Sequence, residues 1–421
     1  VKKHETAISE DRIAVFAYNK GKEPPDMQLL HADGRRQKLQ EKLMIIQSKK
    51  VWVVDDFVAV QIEMEDGKIK SILPYGSKEA DEDYGDLRIV PGFIDQHTHG
   101  AYGWDTNDAT EEGLRKWVKN ITKEGVTTIL PTTITQSEEV LTNAVKNVAK
   151  VVREGYEGAE ILGIHFEGPY LDQCYKGAQP EQYCVKPDVE QFKRYYEASD
   201  HLIKLVTLAT EHDDNFDLTH FCVEHGIVVS QGHSGATYEQ AQMGIANGAM
   251  SMTHVYNGMS KFHHRDPGLV GAAFRYKDVY GELITDGNHS HLAAVKDFYD
   301  AKGPNFAIMV TDSLMVKSLP VGTKVLFGGN EIELMEDGSA HLTSTGNLAG
   351  STLNVNKGLE VLERAGVPWL SAINSCTINP ATLLGVNDRK GSIQAGKDAD
   401  LVVLEDNYDV VMTYVKGKKA F

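Results

Sequence analysis

Residues 91–100 read PGFIDQHTHG and end in a His-x-His pair, His97 and His99. The apolar residues before the pair suit a strand, where side chains two apart share a face. About 7 Å separates such positions, so both imidazoles can reach one metal ion. The pair alone fits packed or surface histidines equally well. Its company matters more: Glu167 in HFEGPY, His233 in QGHSG, His254 in THVYNG and Asp312 in VTDS each close a strand-like run.

Those runs fall at 93–99, 126–134, 161–168, 203–211, 227–234, 251–257, 280–288 and 307–313. Helical stretches separate most of them. Leu114, Trp117, Val118 and Ile121 repeat at helical spacing, and Thr237 with Gln240 fits a capping box. Strands alternating with helices predict an α/β chain, a (β/α)8 TIM barrel over 93–385. An open doubly wound sheet fits less well, because no glycine-rich phosphate loop follows the first strand. Active sites of such barrels sit at the C-terminal ends of the strands, where these six residues lie. His165 shares a face with Glu167 and is a candidate outer partner. His201, His212, His220, His225 and His341 fall elsewhere and read as ordinary polar residues.

Imidazoles with a carboxylate, and no thiolates, suit Zn²⁺ or Fe²⁺ in a catalytic rather than a structural site. The chemistry expected is metal-assisted hydrolysis. A bound ion lowers the pKa of water from about 15.7 to about 7 and polarises a carbonyl. Asp312 is the candidate to take that proton and pass it to the leaving group, a role that typically supplies about 10²–10⁴-fold.

Composition bounds the alternatives. The chain has 421 residues, 41% of them apolar, enough for a large core. Its formal charge of −17 argues against nucleic acid or an anionic membrane surface as partner. An anionic small substrate remains compatible, since distant charge is screened beyond about 8 Å. No apolar run reaches the roughly 18 residues of a membrane span, and the N-terminus lacks the pattern of a secretory signal. Cys174, Cys184, Cys222 and Cys376 show no CxxC spacing and suit reduced thiols in a cytosol.

The ends differ from the middle. Residues 44–92 and 386–421 are β-rich and are expected to form one small β-sandwich domain, with Asp66-Gly67 as a hairpin turn. Residues 317–343 suggest a hairpin flap over the barrel mouth. Residues 1–43 are polar and weakly periodic. They read as a non-native or disordered extension, with Met44 the expected start; an N-terminal arm packed on the outside is the alternative.

The motifs together resemble the amidohydrolase superfamily, and within it the family of N-acetylglucosamine-6-phosphate deacetylases. PGFIDQHTH and GSIQAGKDADLVVL are similar to the superfamily at large. HFEGPYLD, KGAQ, QGHSGA, THVYNGM, Arg265 with its Asp-Pro-Gly, DGNH and VTDS are similar to the deacetylases. The resemblance covers about residues 44–421. It implies one or two divalent ions per subunit (Zn, Fe, Co or Mn), the main one held by Glu167, His233 and His254, a second by His97 and His99. It implies Asp312 as general acid/base. Ala178, Gln179, Asn257, Gly258, Leu348, Ala349 and Gly350 are implied substrate contacts, and Arg265 and His289 phosphate contacts, with Arg265 reaching into the partner of a homodimer. It further implies a cytoplasmic enzyme of amino-sugar catabolism and cell-wall sugar recycling, acting on a phosphorylated amino sugar. Gln179 stands where many relatives have His, so it cannot carry positive charge there. A different amidohydrolase or an inactive binding protein are the competing readings.

Overall fold

The computed structural model describes residues 43–421 in full. Of residues 1–42 it describes the backbone of two small pairings, Thr6–Ser9 with Arg12–Val15 and Gln28–Leu30 with Arg36–Lys38. The expectation for residues 1–43 otherwise lies outside the described residues.

Eight parallel strands organise the middle of the chain: β1 (Phe93–Thr98), β2 (Val126–Pro131), β3 (Ile164–Glu167), β4 (Ile203–Leu208), β5 (Val228–Gln231), β6 (Ser251–Met252), β7 (Tyr280–Ile284) and β8 (Ala307–Val310). Each falls within one of the runs read from sequence. Seven of the eight are buried along their whole length; β4 departs only at Lys204. Such near-continuous burial is expected of strands covered on both faces. β1 pairs with β2, and β3 through β8 pair in order, all parallel. Parallel bridges Thr132–His165 and Thr98–Ser313 link β2 to β3 and β8 back toward β1. The sheet is therefore strongly curled.

Helices cover its outer side. Glu111–Asn120 buries Leu114, Trp117 and Val118, as its spacing predicts. Tyr238–Ala246 opens on the expected capping box between Thr237 and Gln240. These faces join one large core cluster with Phe93, Ile129, Phe166, Val206, Val229 and Met309 from the strands.

Both ends of the chain share one hydrogen-bonded sheet. Its order is Lys418–Lys419, Val410–Val415, Leu401–Leu404, Arg88–Pro91, Met44–Val53, Asp56–Glu65 and Lys68–Pro74, with Glu82–Asp83 beside Met44–Val53. Asp66 and Gly67 turn between two of these strands with φ of 50° and 76°; positive φ at both positions is the hairpin geometry that Asp-Gly favours. Ile46, Ile62, Ile89, Leu401 and Tyr414 form its own core. Arg389 bridges Glu160, just before β3, to Asp398 at the edge of this sheet. Lys390 adds contacts to Glu160 and Asp400.

Candidate active site

Six side chains meet at the C-terminal ends of five strands. His97 and His99 come from the end of β1, Glu167 ends β3, and His233, His254 and Asp312 each lie two residues beyond β5, β6 and β8. His233, His254 and Asp312 have φ of 48°, 30° and 49°. Non-glycine residues in this region cost of order 1–3 kcal/mol each and persist only where surroundings over-determine them. Here Asp312 N–H donates to His97 O at 2.8 Å and Ser351 N–H to Asp312 O at 2.7 Å, which clamps the turn. The strained turns swing these three side chains off their strands and into the mouth.

Ring orientation is fixed from behind. His233 Nδ1 donates to Tyr175 O (2.9 Å), His254 Nδ1 to Asn257 O (3.1 Å) and His97 Nδ1 to Glu282 Oε2 (3.0 Å). Their Nε2 atoms therefore present lone pairs. The Nε2 atoms of His233 and His254 face each other at 3.1 Å, and each lies 3.4 Å from Glu167 Oε1. Two lone pairs and a carboxylate oxygen cannot satisfy one another. Glu167 Oε1 and His97 Nε2 are in fact buried with no hydrogen-bond partner. A cation is what such a donor set fits. Glu167, His233 and His254 form one ligand group, and His97, His99 and Asp312 a second. His99 Nε2 lies 3.1 Å from Asp312 and 3.2 Å from Glu167.

Electrostatics agree. Burial alone would pull His99 down, but Asp312 and Glu167 more than reverse this, to about 9. Burial would likewise raise Glu167, yet the surrounding imidazoles hold it well below the ordinary carboxylate range. The pocket demands positive charge, which protons or a metal ion can supply.

All of these groups except His97 line an open cavity. Asn257 Nδ2 is buried there without a partner, free to donate to a ligand. Gly258 has φ of 57°, and a Cβ there would come within 2.9 Å of His233 Nδ1, so only glycine lets this loop approach the ligand ring.

A sequence model of the amidohydrolase family matches residues 88–420. The chain belongs to the amidohydrolase family. Among amidohydrolases, the N-acetylglucosamine-6-phosphate deacetylase of Bacillus subtilis (strain 168) is 40% identical over 370 residues, spanning 86% of this chain and 92% of that protein. The N-acetylgalactosamine-6-phosphate deacetylase of Escherichia coli O157:H7 is 33% identical, spanning 86% and 94%. The crystal structure of the Mycobacterium smegmatis N-acetyl-D-glucosamine-6-phosphate deacetylase superposes with a TM-score of 0.85 at 27% identity, covering 90% of this chain and all of that one.

This amidohydrolase places most sequence-predicted contacts at the cavity: Ala178, Gln179, Asn257, Gly258, His289, Leu348 and Gly350 line it. Ala349 does not; it is buried in the apolar cluster under the 324–342 hairpin. Arg265 does not either. It is exposed, with Nη1 2.9 Å from His264 Nε2, away from the cavity of its own chain. Gln179 lines the cavity with its amide already engaged: Nε2 donates to Glu167 Oε2 (2.7 Å) and Oε1 accepts from Thr135 N–H (2.8 Å). Its visible task is to hold Glu167. His289 Nδ1 donates to Asp286 Oδ2 at 2.7 Å. Burial would pull this imidazole down, but Asp286 raises it above the usual histidine value, which favours a cation facing the cavity.

His165 stands behind the site as expected, neutral by burial, its ring 4.4 Å from that of His97. Sequence reasoning missed Glu282, Ile284, Gly177 and Phe327. The last lines the cavity from the 324–342 insertion, its ring edge-on to His99 at 5.3 Å. The insertion is a three-stranded sheet, Lys324–Phe327, Asn330–Leu334 and Ala340–Leu342, rather than a simple hairpin. A signal for Glu282 existed: it is the one acid inside the apolar run YGELI.

Proposed function

We propose that this amidohydrolase hydrolyses the acetamide of N-acetylglucosamine 6-phosphate to glucosamine 6-phosphate and acetate. One observation carries the reading: two clusters of imidazoles and carboxylates fit to hold a metal, an unpartnered amide donor at Asn257 and the Asp286-paired His289 converge at one cavity. The relatives' activity supplies the substrate class. Glu167, His233 and His254 would hold the main divalent ion, and His97, His99 and Asp312 a second, with Zn²⁺ or Fe²⁺ favoured. When bound, the metal polarises the amide carbonyl and makes water acidic near neutral pH. Asp312 accepts the water's proton and delivers it to the amine nitrogen as the C–N bond breaks. Asn257 Nδ2 and the Gly258 N–H orient the sugar. His289 carries positive charge toward the 6-phosphate. Gln179 keeps Glu167 aligned.

The finer architecture belongs to this proposal. It is a (β/α)8 barrel over 93–385, supported by the linking bridges, and a small β domain from 44–92 and 386–421 whose sheet folds over its own core like a sandwich. The working form is a cytoplasmic homodimer in which the exposed Arg265 loop reaches the partner's phosphate site; its fork of donors suits phosphate. No described helix is long and apolar enough to cross a membrane.

Comparing kcat/KM for the glucosamine and galactosamine epimers, each with and without the 6-phosphate, tests the substrate. The phosphorylated glucosamine epimer is expected to lead. Equal activity on the unphosphorylated acetamide would favour a different amidohydrolase function.

A further inference from the structure

The three imidazoles anchored through Nδ1 do not share one kind of anchor. His233 and His254 donate to backbone carbonyls, those of Tyr175 and Asn257. His97 donates to a side chain, the carboxylate of Glu282. Glu282 lies in the middle of β7 and is fully buried. Its other oxygen accepts from Gln96 Nε2 at 2.7 Å, and the His254 backbone N–H faces Oε2 at 3.4 Å. Among the described residues its one ion-pair partner is His97. A buried acid without lysine or arginine is costly, so this placement calls for a compensating positive centre beyond the ring.

We propose that Glu282 is the positioning residue of the second metal position. It fixes His97 as the Nδ1–H tautomer and aims Nε2 at the space bounded by Asp312 Oδ1 and Glu167 Oε1, each 3.4 Å away. A carboxylate behind a ligating imidazole also raises its basicity toward an ion. The first position lacks this dependence, because side-chain substitution does not remove the carbonyls that orient His233 and His254. Glu282 meets the first position only through the long His254 backbone contact, while it anchors the ring of His97 directly, so its removal acts mainly on the second position. The inference rests on the metal reading above and adds a residue outside both ligand groups.

The test starts from zinc-loaded protein dialysed against a graded series of zinc buffers, with bound zinc per chain measured by mass spectrometry. Wild type, E282A, E282Q and H97N are compared. Wild type is expected to release two ions in separate steps. In E282A the weaker step moves to about 10–100-fold higher free zinc, and the tighter step stays in place. E282Q, which keeps an acceptor oxygen for Nδ1, falls between E282A and wild type, an ordering that loss of packing alone would not produce. H97N loses the weaker step. Release of both ions from E282A at wild-type zinc levels overturns the proposal, as does parallel weakening of both steps. A wild type that never exceeds one ion overturns the two-position reading, and the proposal with it.

Discussion

In the proposed reaction, turnover depends most directly on Asp312. Its carboxylate faces His97 and His99 and lines the substrate cavity. Burial raises its pKa, but the two imidazoles outweigh this and hold it below the ordinary aspartate value, which suits the proton-accepting role proposed for it. Asp312→Asn removes that capacity with little change in shape. Its kcat is expected to fall by about 10²–10⁴-fold, with main-site metal retained; full turnover with metal bound would contradict the assigned role. Most of the candidate ligands were legible from residue type at strand ends. Glu282 was overlooked because a single acid in an apolar run carries no spacing signal. The engagement of Gln179 with Glu167 depends on contacts between β3 and the loop that follows it, which residue type does not encode.

At the scale of elements, the strands were legible because burial on both faces leaves continuous apolar runs. The left-handed turns at His233, His254 and Asp312 were not, since histidine and aspartate reach that conformation more often than most residues but in only a small minority of positions. The 324–342 insertion was only partly legible. Its alternation marked a hairpin, but its third strand, Ala340–Leu342, is too short to stand out. This sheet brings Phe327 onto His99 and closes one wall of the cavity. Phe327→Ala is expected to raise KM about fivefold, the equivalent of roughly 1 kcal/mol of lost contact, with kcat little changed. Steady-state kinetics on the phosphorylated sugar checks this. An equal fall in kcat with unchanged KM would place Phe327 in the chemical step instead.

At the scale of the molecule, the terminal sheet and the proposed homodimer matter. Within the chain, Glu160, Arg389, Lys390, Asp398 and Asp400 fasten the terminal sheet to the segment just before β3. Burial would raise the Glu160 pKa, but Arg389 and the neighbouring lysines depress it far below 4.5. The unfolded chain therefore binds this proton first as pH falls. Stability from Glu160 is full above about 4.5 and is lost as pH drops toward the depressed folded value. Glu160→Gln is expected to lower the thermal midpoint at pH 7, with the gap from wild type closing as pH falls through that window. A constant gap would contradict the linkage.

In the proposed homodimer, Arg265 could be chosen from sequence by its chemistry, but its absence from the lining of its own chain's cavity could not. Arg265→Ala is expected to raise KM about 10–150-fold, the cost of one charge-assisted hydrogen bond. Mixing it with Asp312→Asn and allowing subunits to exchange should restore about a quarter of the wild-type sites, since each mixed dimer carries one intact site. No recovery on mixing would place Arg265 in its own subunit's chemistry or outside it altogether.

The most direct test of the deacetylase reading is product analysis on the metal-loaded protein given N-acetylglucosamine 6-phosphate. Acetate and primary amine are expected in equal amounts, with turnover lost on chelation and restored by adding the divalent ion back. A protein with its metal bound that releases no acetate from this substrate would contradict it.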